Sequence, residues 1–333
     1  MDPLTQGVLG GLVAQTGARP RQLARACVVG ALAGMAPDLD VLIRSSSDPL
    51  LALEYHRHFT HSLVFIPIGA LVCALLLYPL QARAWQLGFW PIYRWSLLGY
   101  GSHGLLDACT SYGTQLLWPF SNLRVAWDII SVIDPLFTLP LLALVLLAAL
   151  RKQVRPVHLA LVWGVFYLGL GMYQHERAMQ MGHSLASERG HQPLRLEVKP
   201  SFANLAVWKV IYETDQHFYV DAVKPGLTGT RVWTGERIAK LDLARDLPWL
   251  EASSTQARDV QRFHWFSAGY IAIDQQDPAQ IVDIRYSMLP QQIQPLWGIR
   301  LSPEAGPGQP AEYFTRRSSG RAALPELLQM LTE

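Results

Sequence analysis

Leu63–Leu80 reads LVFIPIGALVCALLLYPL, and residues 129–150 read IISVIDPLFTLPLLALVLLAAL. Each is a nearly unbroken apolar run close to the ~20 residues that a helix needs to cross a hydrocarbon core of ~30 Å. Working outward, residues 157–173 form a third run, shorter but almost uninterrupted, and residues 95–109 are apolar apart from Ser102, His103 and Asp107. Residues 4–18 and 24–37 are shorter and rich in Gly and Ala, which suits close helix packing, and read as full helices or re-entrant halves. From Gln174 onward, charges, prolines and alternating patterns return. The expected fold is therefore mainly α: a membrane domain of about six apolar helical segments over residues 1–173, followed by a soluble α+β domain over 174–333.

Composition points the same way. Half of the 333 residues are hydrophobic and 16% are charged, too apolar for an ordinary soluble chain of this length. A net charge of +2 with no Lys/Arg tract excludes binding to a phosphate backbone as a main activity. Cys27, Cys73 and Cys109 lie in apolar segments without CxxC spacing, so they read as small buried residues and not as a disulfide frame. The opening MDPLTQG has an acid and no basic residue, which argues against a cleaved leader.

Arginines and lysines supply an orientation, because cytoplasmic loops collect them. Arg19, Arg21 and Arg25 follow the first segment, Arg83 and Arg94 the third, and Arg151, Lys152 and Arg155 the fifth. The intervening stretches 38–61 and 110–128 carry acids, and are expected to face the periplasm of a bacterial-type inner membrane together with the C-terminal half.

Three polar groups interrupt the apolar sequence on that outer side: Asp38 and Asp40 in APDLD, the stretch EYHRHFTHS with His56, Arg57, His58, Thr60, His61 and Ser62, and SHGLLD with His103 and Asp107. On a helix His103 and Asp107 lie about 40° apart on one face, so both can reach one ion. Imidazole and carboxylate without thiolate favour zinc first, with manganese and iron as alternatives. Asp38, Asp40, His56 and His61 would complete one site or a pair of sites, and Arg57 would grip an anionic substrate group. His58 and Asp128 are candidates for moving protons, and Asp134, Thr60 and Ser62 for holding the ligands in place. Each group also has an ordinary structural explanation. The two acids can end a helix, the histidines can be solvated, His103 with Asp107 can staple helices, and Asp134 can start a helix before Pro135. In a membrane, however, ionisable groups are costly and point to function. His175, His183 and His191 read as surface histidines.

MDPLTQG, APDLD, HRHFTHS and SHGLLDACTSYGTQLLWPFS, in that order, resemble the bacterial YdjM-like family across roughly the first 140 residues. Members are described as LexA-binding, inner membrane-associated, metal-dependent hydrolases. The resemblance implies a helical membrane protein with a metal centre at Asp38, Asp40, His56, His61, His103 and Asp107, and a distant similarity to zinc-dependent phospholipase C. Two positions depart from the pattern: Gln6 stands where histidine is usual, and His58 where glycine is usual.

In the C-terminal half, strand-like runs occupy 205–212, 217–223, 269–273 and 281–286, with helices expected at 254–266 and 322–331. No nucleophile elbow, P-loop or dinucleotide fingerprint occurs there, which leaves an accessory role. The functional expectation is a membrane-bound, metal-dependent hydrolase acting on a phosphoester or other ester of a lipid or envelope precursor. The alternatives are a non-catalytic membrane protein with a structural metal and a protein partner, as in LexA binding, and an ion or proton relay through His103, Asp107 and Asp134.

Overall fold

The computed structural model describes residues 1–226, 229–316 and 320–332. It divides into two compact units. The first comprises Met1–Leu42, Tyr55–Tyr173 and Phe202–Asn204; the second comprises Ile43–Glu54, Gln174–Ser201 and Leu205–Glu333.

The helices run α1 (Pro3–Thr16), α2 (Leu23–Met35), α3 (Leu51–Tyr55), α4 (Ile66–Trp85), α5 (Phe89–Ala108), α6 (Pro135–Arg151) and α7 (Arg155–Glu188). Asp2 caps α1 by accepting from the Thr5 amide at 3.0 Å, and Pro3 opens the helix with no amide to lose. Helices α1, α2 and α5 meet through glycine. A Cβ on Gly30 would lie 2.3 Å from the Gly10 carbonyl oxygen, and one on Gly99 would lie 2.3 Å from the Gly30 carbonyl oxygen. Only bare backbone permits this approach. Trp95, Ile92, Val29 and Ala26 fill the space beside it.

The six expected apolar segments do not become six spans. Among the described residues, two helices are long and apolar enough to cross a membrane: Leu63–Leu80, with mean hydropathy 2.5, and Arg155–Glu188, with mean hydropathy 1.4. At 1.5 Å per residue, the 14 and 13 residues of α1 and α2 fall well short of the hydrocarbon thickness. The run at 129–150 is cut by its own chemistry. Asp134 caps the helix by accepting from the Phe137 amide at 3.2 Å, Pro135 starts it, and α6 keeps 17 residues. Outward-facing apolar side chains mark the surfaces suited to hydrocarbon, among them Leu75, Leu76 and Leu80 on α4 and Val162, Val165 and Phe166 on α7.

The second unit contains two antiparallel sheets. One orders β1 (Arg195–Pro200), β2 (Trp208–Glu213), β3 (His217–Pro225) and β4 (Thr230–Trp233), with β5 (Arg237–Ala239) also on β3. The other orders β6 (Ile271–Ile273), β7 (Gln280–Asp283), β8 (Trp297–Arg300) and β9 (Glu312–Thr315). Their shared core holds Ile211, Phe218, Val220, Tyr270, Ala272 and Val282. Short α8 (Leu243–Asp246), α9 (Thr255–Phe266), capped by Ser254, and α10 (Gly320–Thr332) complete the unit. Lys209 is buried on β2, donating to Ser287 Oγ at 2.7 Å and to the Gln292 carbonyl at 2.9 Å, and its burial pushes its pKa down to about 7.

The segment Ile43–Glu54 packs with this second unit although it comes from the N-terminal half of the chain. Arg262 of α9 forks onto both oxygens of Asp48 at 2.9 Å each, onto Glu54 at 2.6 and 3.0 Å, and onto Asp259 at 3.0 Å. The free thiols of Cys27, Cys73 and Cys109 form no disulfide.

Candidate metal centre

Four segments of the first unit bring the site together. A 3₁₀ stretch, Ala36–Leu42, follows α2 and carries Asp38 and Asp40. His56 and Arg57 precede a 3₁₀ turn, Phe59–His61, that carries His61. Helix α5 supplies His103 and Asp107 one turn apart, as the four-residue spacing requires. Helix α1 contributes Gln6.

Each central imidazole is fixed through its Nδ1. His103 Nδ1 lies 2.5 Å from the Gly34 carbonyl oxygen, which can only accept, so Nδ1 carries the proton and Nε2 keeps its lone pair. His61 Nδ1 lies 3.3 Å from Asp40 Oδ2 and 3.0 Å from Thr60 Oγ1. Thr60 in turn donates to Asp40 Oδ2 at 3.1 Å, and the Arg57 amide donates to the same oxygen at 2.9 Å. The two Nε2 atoms then face one another at 2.9 Å.

Two carboxylates close on that pair. Asp38 Oδ1 is 3.5 Å from His61 Nε2 and 3.4 Å from His103 Nε2; Asp107 Oδ2 is 3.2 and 3.5 Å from the same atoms. Bond lengths near 2.0–2.1 Å in a tetrahedral site put neighbouring ligand atoms about 3.3 Å apart. The observed separations bracket that value, and Asp38, His61, His103 and Asp107 all offer atoms within 4.8 Å of one another. His61, His103 and Asp107 have fully buried side chains, whereas that of Asp38 is 20% exposed. Asp107 Oδ2 is buried and takes no hydrogen bond. Its Oδ1 accepts from Gln6 Nε2 at 2.9 Å and pairs with the Met1 ammonium.

The electrostatics suit a cation. Burial alone would raise the carboxyl groups of Asp38 and Asp40. Hydrogen bonds with His103 and His61 outweigh it at Asp38, and hydrogen bonds with His56 and His61 outweigh it at Asp40, so both stay well below the usual carboxylate range. Burial opposes charge on His61, but the surrounding carboxylates of Asp107, Asp38 and Asp40 push it up to about 10. The cluster thus holds a positive charge where its ligand atoms converge.

The remaining expected residues take varied positions. His56 Nδ1 pairs with Asp40 Oδ1 at 2.8 Å, at the edge of the cluster. Arg57 is buried and turned inward: its Nε faces Asp107 Oδ2 at 3.0 Å, an Nη donates to Thr110 Oγ1 at 2.8 Å, and the guanidinium lies over the Tyr112 ring. In this arrangement it is a counter-ion of Asp107, with its own backbone at φ 63°. His58 packs among Tyr55, Phe59 and Trp118 in tilted and edge-on ring contacts. Ser62 caps the turn Leu63–Phe65 and donates to the Phe59 carbonyl. Asp128 sits at φ 55° between Trp127 and Ile129, whose amides donate to the Ala108 and Cys109 carbonyls. Among the described residues Asp134 contacts no histidine; both its oxygens accept from Tyr167 OH, at 2.8 and 2.9 Å, and it is the helix-start acid of α6. Thr110 and the Gly34 carbonyl escaped notice in the sequence. Thr110 bridges Arg57 to the Asp107 carbonyl at 2.7 Å, and neither group belongs to a residue type with metal-site character.

Residues 1–178 match the family described as YdjM inner membrane protein. The chain belongs to the YdjM inner membrane protein family. That family places it in the membrane, and every residue of the cluster lies inside the matched region. The chain is also 36% identical over 116 residues to inner membrane protein YbcI of Escherichia coli (strain K12), covering 32% of this chain and 62% of that protein. It is 32% identical over 114 residues to the uncharacterized protein YfhP of Bacillus subtilis (strain 168), covering 34% of each. The chain thus spans about a third and about three-fifths of the lengths of these relatives. No solved structure matches it.

Proposed function

We propose that this membrane protein is a metal-dependent hydrolase that cleaves a phosphoester or other ester of a lipid or envelope precursor. The observation that carries the reading is the convergence of two imidazole nitrogens and two carboxylate oxygens at separations of 2.9–3.5 Å, which fits a divalent ion, zinc first and manganese or iron next. A bound ion would supply Lewis acidity and a water of lowered pKa. The chain's own residues do the rest. Gly34 and Asp40 hold the two imidazoles in the tautomer that binds, Arg57 and Gln6 keep the Asp107 carboxylate ionised and aimed, and Asp38, on the exposed edge, borders the reacting space.

A lipid-phase substrate is supported by what surrounds the ligands. Leu39 lies between Asp38 and Asp40 and is 63% exposed, Leu42 is 74% exposed, and Leu63 and Val64 follow His61 with exposed side chains. An apolar rim around a charged site suits an amphiphile that enters sideways from a membrane. The proposed orientation, with the site and the C-terminal domain on the periplasmic side, rests on Arg83 and Arg94 following the Leu63–Leu80 span and on Arg151, Lys152 and Arg155 around the start of α7.

The test is metal content by mass spectrometry on detergent-purified full-length protein, followed by turnover of phosphoester and carboxylester lipids. Stoichiometric metal, together with turnover that is abolished by chelation and by His103→Asn, supports the reading. A chain free of metal after reconstitution refutes it. A second reading has its own support, because four protein ligands are what a closed, structural metal site uses. Metal without turnover of any ester, combined with retained capture of a protein partner, would favour that non-catalytic role.

A further inference from the structure

We propose that the site is built for two divalent ions bridged by the Asp38 carboxylate; this rests on the metal-dependent reading above and deepens it. Beside the set Asp38, His61, His103 and Asp107, a second set of three, Asp38, Asp40 and His56, also has ligand atoms within 4.8 Å of one another. The sets share one residue. A carboxylate has two oxygens, and one given to each ion holds the ions at about 3.5–4 Å, the spacing of two-metal hydrolytic sites.

The two sets differ in a way that divides labour. The inner trio His61, His103 and Asp107 is fully buried, while Asp38 and His56 have side chains 20% and 24% exposed. An ion on the outer set would therefore have only Asp38, Asp40 and His56 from the protein and open positions toward the exposed edge. Asp40 joins the sets by using its oxygens separately. Oδ2 is saturated by the Arg57 amide, Thr60 and His61 Nδ1, and so serves the inner set as an orienting partner. Oδ1 faces His56 Nδ1 at 2.8 Å. Without metal that contact is a hydrogen bond, and an ion there would replace its proton. The Tyr112 ring stands edge-on to His56 at 5.3 Å and limits where the imidazole can turn.

The bridge also sharpens the substrate class. Two divalent ions held by the three carboxylates Asp38, Asp40 and Asp107 leave the ligand set positive, whereas one ion between Asp38 and Asp107 is neutral. A positive pair attracts an anionic phosphoryl group and can bind its oxygens on both sides, so phosphoesters are favoured over neutral carboxylesters.

The experiment strips the detergent-solubilised full chain with chelator, reconstitutes it with manganese, counts bound metal and records its paramagnetic resonance spectrum. Two ions per chain with exchange-coupled spectra are expected. His56→Gln should reduce the count to one, with an uncoupled six-line signal and the inner ion retained. One uncoupled ion in the native chain overturns the two-ion proposal and leaves the metal-dependent reading standing; none overturns both. Because the native chain alone decides between these outcomes, a His56 variant that failed to fold would not blunt the test. Two ions that both persist, still coupled, in a folded His56→Gln protein would also overturn the assignment of the outer set.

Discussion

Replacing Gly99 with alanine should loosen the metal centre without touching a ligand. A Cβ at that position would lie 2.3 Å from the Gly30 carbonyl oxygen and 2.8 Å from Gly30 Cα, where ordinary contact begins at 3.4 Å. Both clashing atoms are backbone, so α5 and α2 must separate by roughly 1 Å, at a cost of about 1–3 kcal/mol for overpacking. His103 lies one turn beyond Gly99 on α5, and its tautomer is set by the Gly34 carbonyl on α2 at 2.5 Å. Adding roughly 1 Å takes that contact out of hydrogen-bonding range. Loss of an orienting partner of this kind lowers metal affinity by about 10–100-fold. The assay is zinc titration of chelator-stripped protein alongside thermal melting, with Gly88→Ala as the control, since nothing lies within 4 Å of a Cβ there. A Gly99→Ala protein that melts earlier yet binds zinc within about twofold of the native chain would refute the claim that this helix contact positions His103.

Thr60→Val removes the hydroxyl between Asp40 and His61 Nδ1, and should weaken metal binding by about tenfold with little change in folding, as read by the same titration; unaltered affinity would show that Asp40 orients His61 alone. Arg262→Met leaves Asp48, Glu54 and Asp259 without their shared counter-ion. Because these groups are partly exposed, the expected loss is about 1–2 kcal/mol in denaturant unfolding, shrinking in high salt, and a salt-independent loss would contradict an electrostatic origin. Lys209→Met tests a linkage. With a folded pKa of about 7 against 10.5, the unfolded chain holds a proton that the folded one releases, so native stability should rise with pH through that window, the burial cost being greatest below it. The variant should lose that rise, and parallel melting curves for the two proteins across pH 7–10 would rule the effect out.

What could be read in the sequence follows from which signals are local. His103 and Asp107 declare themselves by a four-residue spacing inside an apolar run, and Ser254 announces α9 as a side-chain cap. The strand-like runs at 205–212, 217–223, 269–273 and 281–286 overlap β2, β3, β6 and β7, all largely buried, while β1 and the partly exposed β4, β5, β8 and β9 carry no comparable apolar run. Hydropathy misled twice. It carried a span through Asp134 and Pro135, whose capping geometry starts a helix there. It also stopped a helix at Tyr173, although Ala178, Gly182 and Ala186 continue the four-residue spacing of buried positions down α7 to Glu188. At the centre itself, Arg57 reads as an anion grip by residue type, and in this arrangement it is a counter-ion of Asp107, with its own backbone at φ 63°. The Gly34 carbonyl has no side chain to betray it, and only the glycine contacts between α2 and α5 bring it within reach of His103.

The second unit borrows Ile43–Glu54 from a stretch that lies in sequence between Asp40 and His56. A scissor cut after Tyr173 would therefore not release two intact pieces. The N-terminal fragment would keep Asp48 and Glu54 without Arg262, and the C-terminal fragment would keep Arg262 with Asp259. The match to the YdjM family ends at residue 178, so the sheets fall outside the shared region while their borrowed segment falls inside it. Any chimera that transplants one half onto a shorter relative has to carry this loop with the sheets, or rewrite its two acids.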